Sequence, residues 1–81
     1  MSIINYIKGH VVSKNPAFVV LETNGVGYGL YVSLQTYSKL ADLAVAQLFV
    51  ESVYIRDDNP KDYGFADEEE RDLFRKLISV S

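Results

Sequence analysis

Three carboxylates, Asp57, Asp58 and Asp62, crowd one short polar segment. They stand close enough together to hold a divalent ion, and carboxylate clusters of this kind serve metal-dependent nucleases. The spacing fits no calcium loop, which needs oxygen ligands at alternate positions, a glycine at the sixth and a glutamate at the twelfth; Lys61 and Asp62 occupy the wrong places. Solvated turn charges account for the trio as well as a metal site does. His10 is the single histidine and cysteine is absent. Thiol catalysis, disulfides and Cys-rich zinc sites are therefore excluded, and a Ser-His-Asp arrangement has only the presence of its members to support it. Gly25-Val26-Gly27-Tyr28-Gly29 looks like a phosphate-cradling loop. A dinucleotide fingerprint must lead into a helix, however, and this one leads into an alternating strand. Tyrosines at 6, 28, 31, 37, 54 and 63 could stack bases if several shared one exposed sheet face.

The elements that would position these residues are mostly strands. Ile3 to Val12 is rich in β-branched and aromatic residues, Pro16 breaks it, and Phe18 to Leu21 resumes in the same style. Asn24-Gly25 suits a type I′ turn, in which both central residues have positive φ, so the next strand runs back antiparallel. Along that strand Val26, Tyr28, Leu30, Val32 and Leu34 share one face, and Gly27, Gly29, Tyr31 and Ser33 share the other. The bare glycine face is expected to admit a facing backbone and allow strong curvature. Thr36 to Leu43 reads as a short helix capped by Thr36. Gln47 to Arg56 is a strand, residues 57–62 are a polar turn, and Tyr63 to Phe65 is a last short strand. Asp67 then opens an amphipathic helix, with Glu70 placed for a capping box and Leu73, Phe74, Leu77 and Ile78 as its apolar stripe. Ser79-Val80-Ser81 follow with no C-cap glycine, so the helix is expected to run on into a longer polypeptide.

Five strands with a short internal helix and a terminal one make an antiparallel oligonucleotide/oligosaccharide-binding (OB) barrel. Residues 1–66 form the barrel, and 67–81 form the C-terminal helix of the same domain. At 81 residues, 48% hydrophobic and 23% charged, the chain is one folded domain and not a disordered segment. No apolar run approaches the roughly 18 residues of a spanning helix, and no basic flank leads into an apolar stretch as in a secretory signal, so a cytoplasmic location is expected. The net charge of −3 hides a gradient: residues 1–50 carry three lysines against two acids, and residues 51–81 carry nine acids against five bases. A phosphate-neutralising surface would show a basic stripe, and none is visible.

Leu21-Glu22, Gly25-Val26-Gly27-Tyr28, Arg56-Asp57-Asp58, Tyr63-Gly64-Phe65 and Glu70-Arg71-Asp72-Leu73-Phe74-Arg75-Lys76-Leu77-Ile78 follow one another in this order. The series resembles the N-terminal domains of the RuvA family, bacterial Holliday-junction branch-migration proteins, over essentially the whole chain. That resemblance implies a non-enzymatic subunit of a homotetrameric scaffold on which four-way junction DNA lies open during recombination and repair, including the SOS response. The RuvB ATPase is then the partner that drives the arms, and the RuvC resolvase a further one. No cofactor or metal is implied. A second domain of paired helix-hairpin-helix motifs, which grips phosphates and would begin at a Gly-Val-Gly hairpin, lies outside the chain. The family's acidic pin falls on Asp57 and Asp58, beside Arg56, and Lys8, Arg56 and Lys61 are candidate DNA-facing cations. Carboxylates beside phosphates cost energy, so the pin's value is to penalise continuous duplex at the junction centre. Tyr6 and Tyr31 stand where relatives carry more basic residues. The competing readings are a generic single-strand-binding OB domain and a metal-dependent nuclease using Asp57, Asp58 and Asp62.

Overall fold

In the computed structural model, which describes residues 4–54 and 60–79, the β-branched first third of the chain forms β1 (Tyr6–Asn15), β2 (Phe18–Thr23) and β3 (Val26–Tyr31). β1 runs on through Ser13 to Asn15 and does not stop at Val12, because a register shift between Val11 and Ser13 lets it continue pairing with β2. Asn15 then makes the turn: its Oδ1 accepts from the amides of Ala17 (2.9 Å) and Phe18 (3.0 Å). Asn24 and Gly25 both have positive φ, 51° and 78°, as a type I′ turn requires.

The helix α1 (Leu34–Lys39) begins earlier than its composition suggests. Ser33, extended at φ −81° and ψ 164°, is the cap, and its Oγ accepts from the Thr36 amide at 3.1 Å. Thr36 is thus carried into the first turn and buried, Leu34 sits exposed on the helix and not on the strand face, and Leu40 ends the helix by turning into the core. Lys14 closes the other end, its Nζ donating to the carbonyls of Leu40 and Ala41.

β4 (Val45–Val53) and β5 (Lys61–Phe65) complete the sheet, and α2 (Glu68–Ser79) follows. Lys61 and Asp62 belong to β5, not to the turn before it, because they pair with Val53 and Ser52. The strands close as a barrel in the order β1-β2-β3-β5-β4, the OB arrangement. Its ladders are antiparallel except for a parallel β3–β5 contact. Ile7, Val19, Leu21, Leu30, Leu40, Ala46, Leu48 and Val50 fill the interior, each larger aliphatic side chain stabilising the fold by about 1.5–3 kcal/mol on burial.

The glycines act differently from the expectation. A Cβ at Gly29 would lie 2.5 Å from Phe18 Cζ, so the bare strand face shelters an aromatic ring and not a facing backbone. The close backbone approach is at Gly9, where a Cβ would collide with the Glu22 carbonyl oxygen. No helix among the described residues is long and apolar enough to cross a membrane.

Candidate nucleic-acid interface

Arg56, Asp57 and Asp58 lie outside the described residues, but both flanks of their segment are held in one ladder. Val53 pairs with Lys61 and Ser52 with Asp62. Ser52 Oγ donates to Asp62 Oδ1 at 2.5 Å, so the third carboxylate of the sequence trio is a strand residue with one oxygen already taken.

Lys61, at the foot of this hairpin, places its Nζ 5.4 Å from the Tyr31 ring centroid, within cation–π range. From there a row of rings crosses the outer face of the barrel. Tyr31 meets Phe18 at 5.0 Å and Tyr63 at 5.7 Å, Tyr63 meets Phe74 at 5.3 Å, and Phe74 meets Phe65 at 5.1 Å. The other four tyrosines stand elsewhere: Tyr28 packs against the core, Tyr6 against Phe49, Tyr37 lies 5.9 Å from Lys14 Nζ, and Tyr54 is exposed. Six tyrosines therefore do not make one stacking face.

Lys8 is exposed on β1 opposite Gln47. On β4, Gln47 and the Lys61 partner Val53 are separated by about 20 Å of extended strand, so Lys8 and Lys61 are not brought together. Among the described cations, Lys39, Arg71 and Arg75 are engaged by carboxylates and Lys14 by backbone carbonyls. That leaves little positive charge free for phosphates.

The feature that sequence patterning missed is the contact between α2 and the barrel. Glu51 is 1% exposed and Arg71 2% exposed. Arg75 Nε donates to Glu51 Oε1 at 2.7 Å, and Arg71 Nη1 donates to the Asn5 and Val50 carbonyls at 3.1 and 3.3 Å. Of the predicted stripe, Phe74 joins the aromatic row, while Leu73, Leu77 and Ile78 are exposed. Arg71, lying between Glu70 and Asp72 at the end of a charged run, gave no local signal of burial.

Asp67 stands just before α2, and its carbonyl accepts from the Arg71 amide. Its carboxylate meets Lys39 Nζ of α1 at 2.6 Å, and Glu70 lies 3.6 Å from the same ammonium. The hydrogen bond from Lys39 holds the Asp67 carboxyl below the usual carboxylate range, and the bond to Asp67 raises Lys39 in turn. The pair links the last residue of α1 to the residue just before α2.

Residues 4–64 match the family model described as "RuvA N terminal domain". The chain is 41% identical over 78 residues to a Christiangramia forsetii protein named "Holliday junction branch migration complex subunit RuvA", covering 96% of this chain and 40% of the relative. Proteins of the same name from Bacteroides fragilis and Flavobacterium psychrophilum are 45% and 42% identical, again over 96% of the chain and over 38% and 40% of the relatives. The chain thus spans about two fifths of the length of the curated relatives it matches. These matches favour a junction-binding family over a generic single-strand-binding domain.

Proposed function

The chain belongs to the RuvA N-terminal domain family, and on that footing we propose that it is the barrel domain of a non-catalytic, junction-binding subunit of a branch-migration complex. The observation that carries this reading is the family match over residues 4–64, with relatives matching over 96% of the chain, and with Arg56-Asp57-Asp58 set between two strands paired in one ladder. In this reading the domain assembles into a cytoplasmic homotetramer. Most of the DNA affinity resides in helix-hairpin-helix motifs of the longer protein, and the RuvB ATPase and RuvC resolvase act on the same junction.

Asp57 and Asp58 serve as the acidic pin. Carboxylates near phosphates repel them and release no counterions, so four copies around a fourfold axis disfavour duplex that continues through the centre and tolerate strands that part there. Arg56, Lys61 and Lys8 flank the DNA path.

The test is Asp57→Asn with Asp58→Asn in a full-length protein carrying this chain, with junction and duplex affinities measured side by side at two salt concentrations. Affinity should hold or rise while the preference for junctions falls. An equal loss of affinity for both substrates would mean that the carboxylates support binding, and repulsion would have to be abandoned. Magnesium-dependent cleavage of junction or flap DNA that vanishes with the same changes would favour a metal site instead.

A further inference from the structure

An amphipathic helix ordinarily docks through its apolar stripe, and such contacts have little directionality. α2 does the reverse. Leu73 is 59% and Leu77 66% exposed, while the face turned to the barrel carries Arg71, Phe74 and Arg75. The Arg71 fork is used in four directions. Nη1 reaches the Asn5 carbonyl, on the approach to β1, and the Val50 carbonyl, on β4. Asn5 O also accepts from the Val50 amide at 2.9 Å, so the guanidinium sits on the junction between the two strands. Its Nε donates to Asp72 at 2.7 Å and its Nη2 to Glu68 at 3.2 Å, both on α2 itself. The Phe49 ring lies beneath it, with its centroid 5.8 Å away.

We propose that Arg71 is a positioning residue: its planar fork, bonded to the barrel on one side and to α2 on the other, fixes the direction in which the helix leaves the barrel. The Arg75–Glu51 pair, one turn further along, is a second fixed point on the same face, and two points define a line where one would allow a swivel. Rigid planar donors with set geometry suit this role better than a flexible ammonium. Resting on the function proposed above, the consequence is that Arg71 sets the register between the acidic hairpin and the phosphate-gripping part of the longer protein.

The chain has no cysteine, so nitroxide labels at Glu22→Cys on β2 and Lys76→Cys on α2, both exposed positions, report the barrel-to-helix distance by pulsed dipolar spectroscopy. Arg71→Met and Arg71→Lys are compared with wild type and with the exposed control Leu73→Gln. A swing of about 20° about the start of the helix displaces a label at Lys76, about 12 Å along it, by about 4 Å, so the distribution should shift or broaden on that scale in Arg71→Met. Arg71→Lys should fall between it and wild type, and the control should not move. A lower melting temperature with an unchanged distribution would mark a merely stabilising residue and overturn the proposal. Should Arg71→Met fail to fold, Arg71→Lys decides alone: a distribution as narrow as wild type overturns the proposal. The distances are read without DNA, so a full-length protein with no junction preference would sink the proposed function and leave this result standing.

Discussion

Glu51 and Arg75 share one ion pair but not one environment. The carboxylate side chain is 2% exposed and the guanidinium 37%, so removing the arginine strands a buried charge, whereas removing the glutamate leaves a cation that can turn to water. Arg75→Met is therefore expected to destabilise the domain by about 2–3 kcal/mol, and Glu51→Gln by about 1 kcal/mol. Urea unfolding of both variants checks the order. Glycines are separable in the same way. Gly9→Ala drives a methyl into the Glu22 carbonyl and should cost about 1–3 kcal/mol, whereas at Gly29 the obstacle is the tip of the Phe18 ring, which can rotate away for less. Little of this is legible along the chain. Glu51 lies in a mostly apolar strand 24 residues from its partner, and no local pattern announces so distant a pairing. Turn chemistry was readable, since Asn24-Gly25 depends only on its own two φ angles.

Elements were read well where local rules decide them and poorly where two neighbours compete. Ser33 and Thr36 can both cap a helix, and the choice falls to Ser33 because Thr36 is needed inside. The α2 stripe was correctly spaced, but periodicity finds an apolar face without saying what covers it. In this chain Leu73→Gln and Leu77→Gln are accordingly expected to change stability by less than about 0.5 kcal/mol, while Phe74→Ala, which breaks the aromatic row, should cost about 2 kcal/mol. Thermal unfolding of the three variants tests this contrast. The tie between α1 and α2 has a pH signature. Asp67 is held below its usual range, so its contribution is present above the unfolded carboxyl pKa and is lost as pH falls through the lowered value. Lys39 is raised, so its share is present below the ordinary lysine pKa and is lost as pH rises through the raised one. Both groups are solvent-exposed, so the effect should be small and should fade in high salt. Acid titration of wild type against Asp67→Asn at two ionic strengths would reveal it as a stability difference present at neutral pH that closes as the acidic limb is descended.

As a whole molecule the chain carries a net charge of −3, and several of its described cations already face carboxylates or carbonyls. This domain alone should therefore bind junction or duplex DNA no tighter than about 10 μM at physiological salt. Submicromolar, salt-sensitive binding in a fluorescence anisotropy titration would contradict that. The barrel as a class was legible from strand count and turn positions, but the pair that closes it was not, because nothing local marks Tyr31 and Tyr63 as partners. That closure has a dynamic consequence. β1 and β2 share five register pairs and β2 and β3 six, whereas the parallel β3–β5 contact has one, Tyr31 with Tyr63. It is also nonlocal, with α1 and β4 intervening, so it forms only after a long loop has closed. A curled sheet fastened by one register pair is expected to open there before its longer ladders part. Hydrogen–deuterium exchange would then show the seam-facing amides of β3 and β5 losing protection well before those of the β1–β2 ladder, at a rate set by this local opening and not by global unfolding.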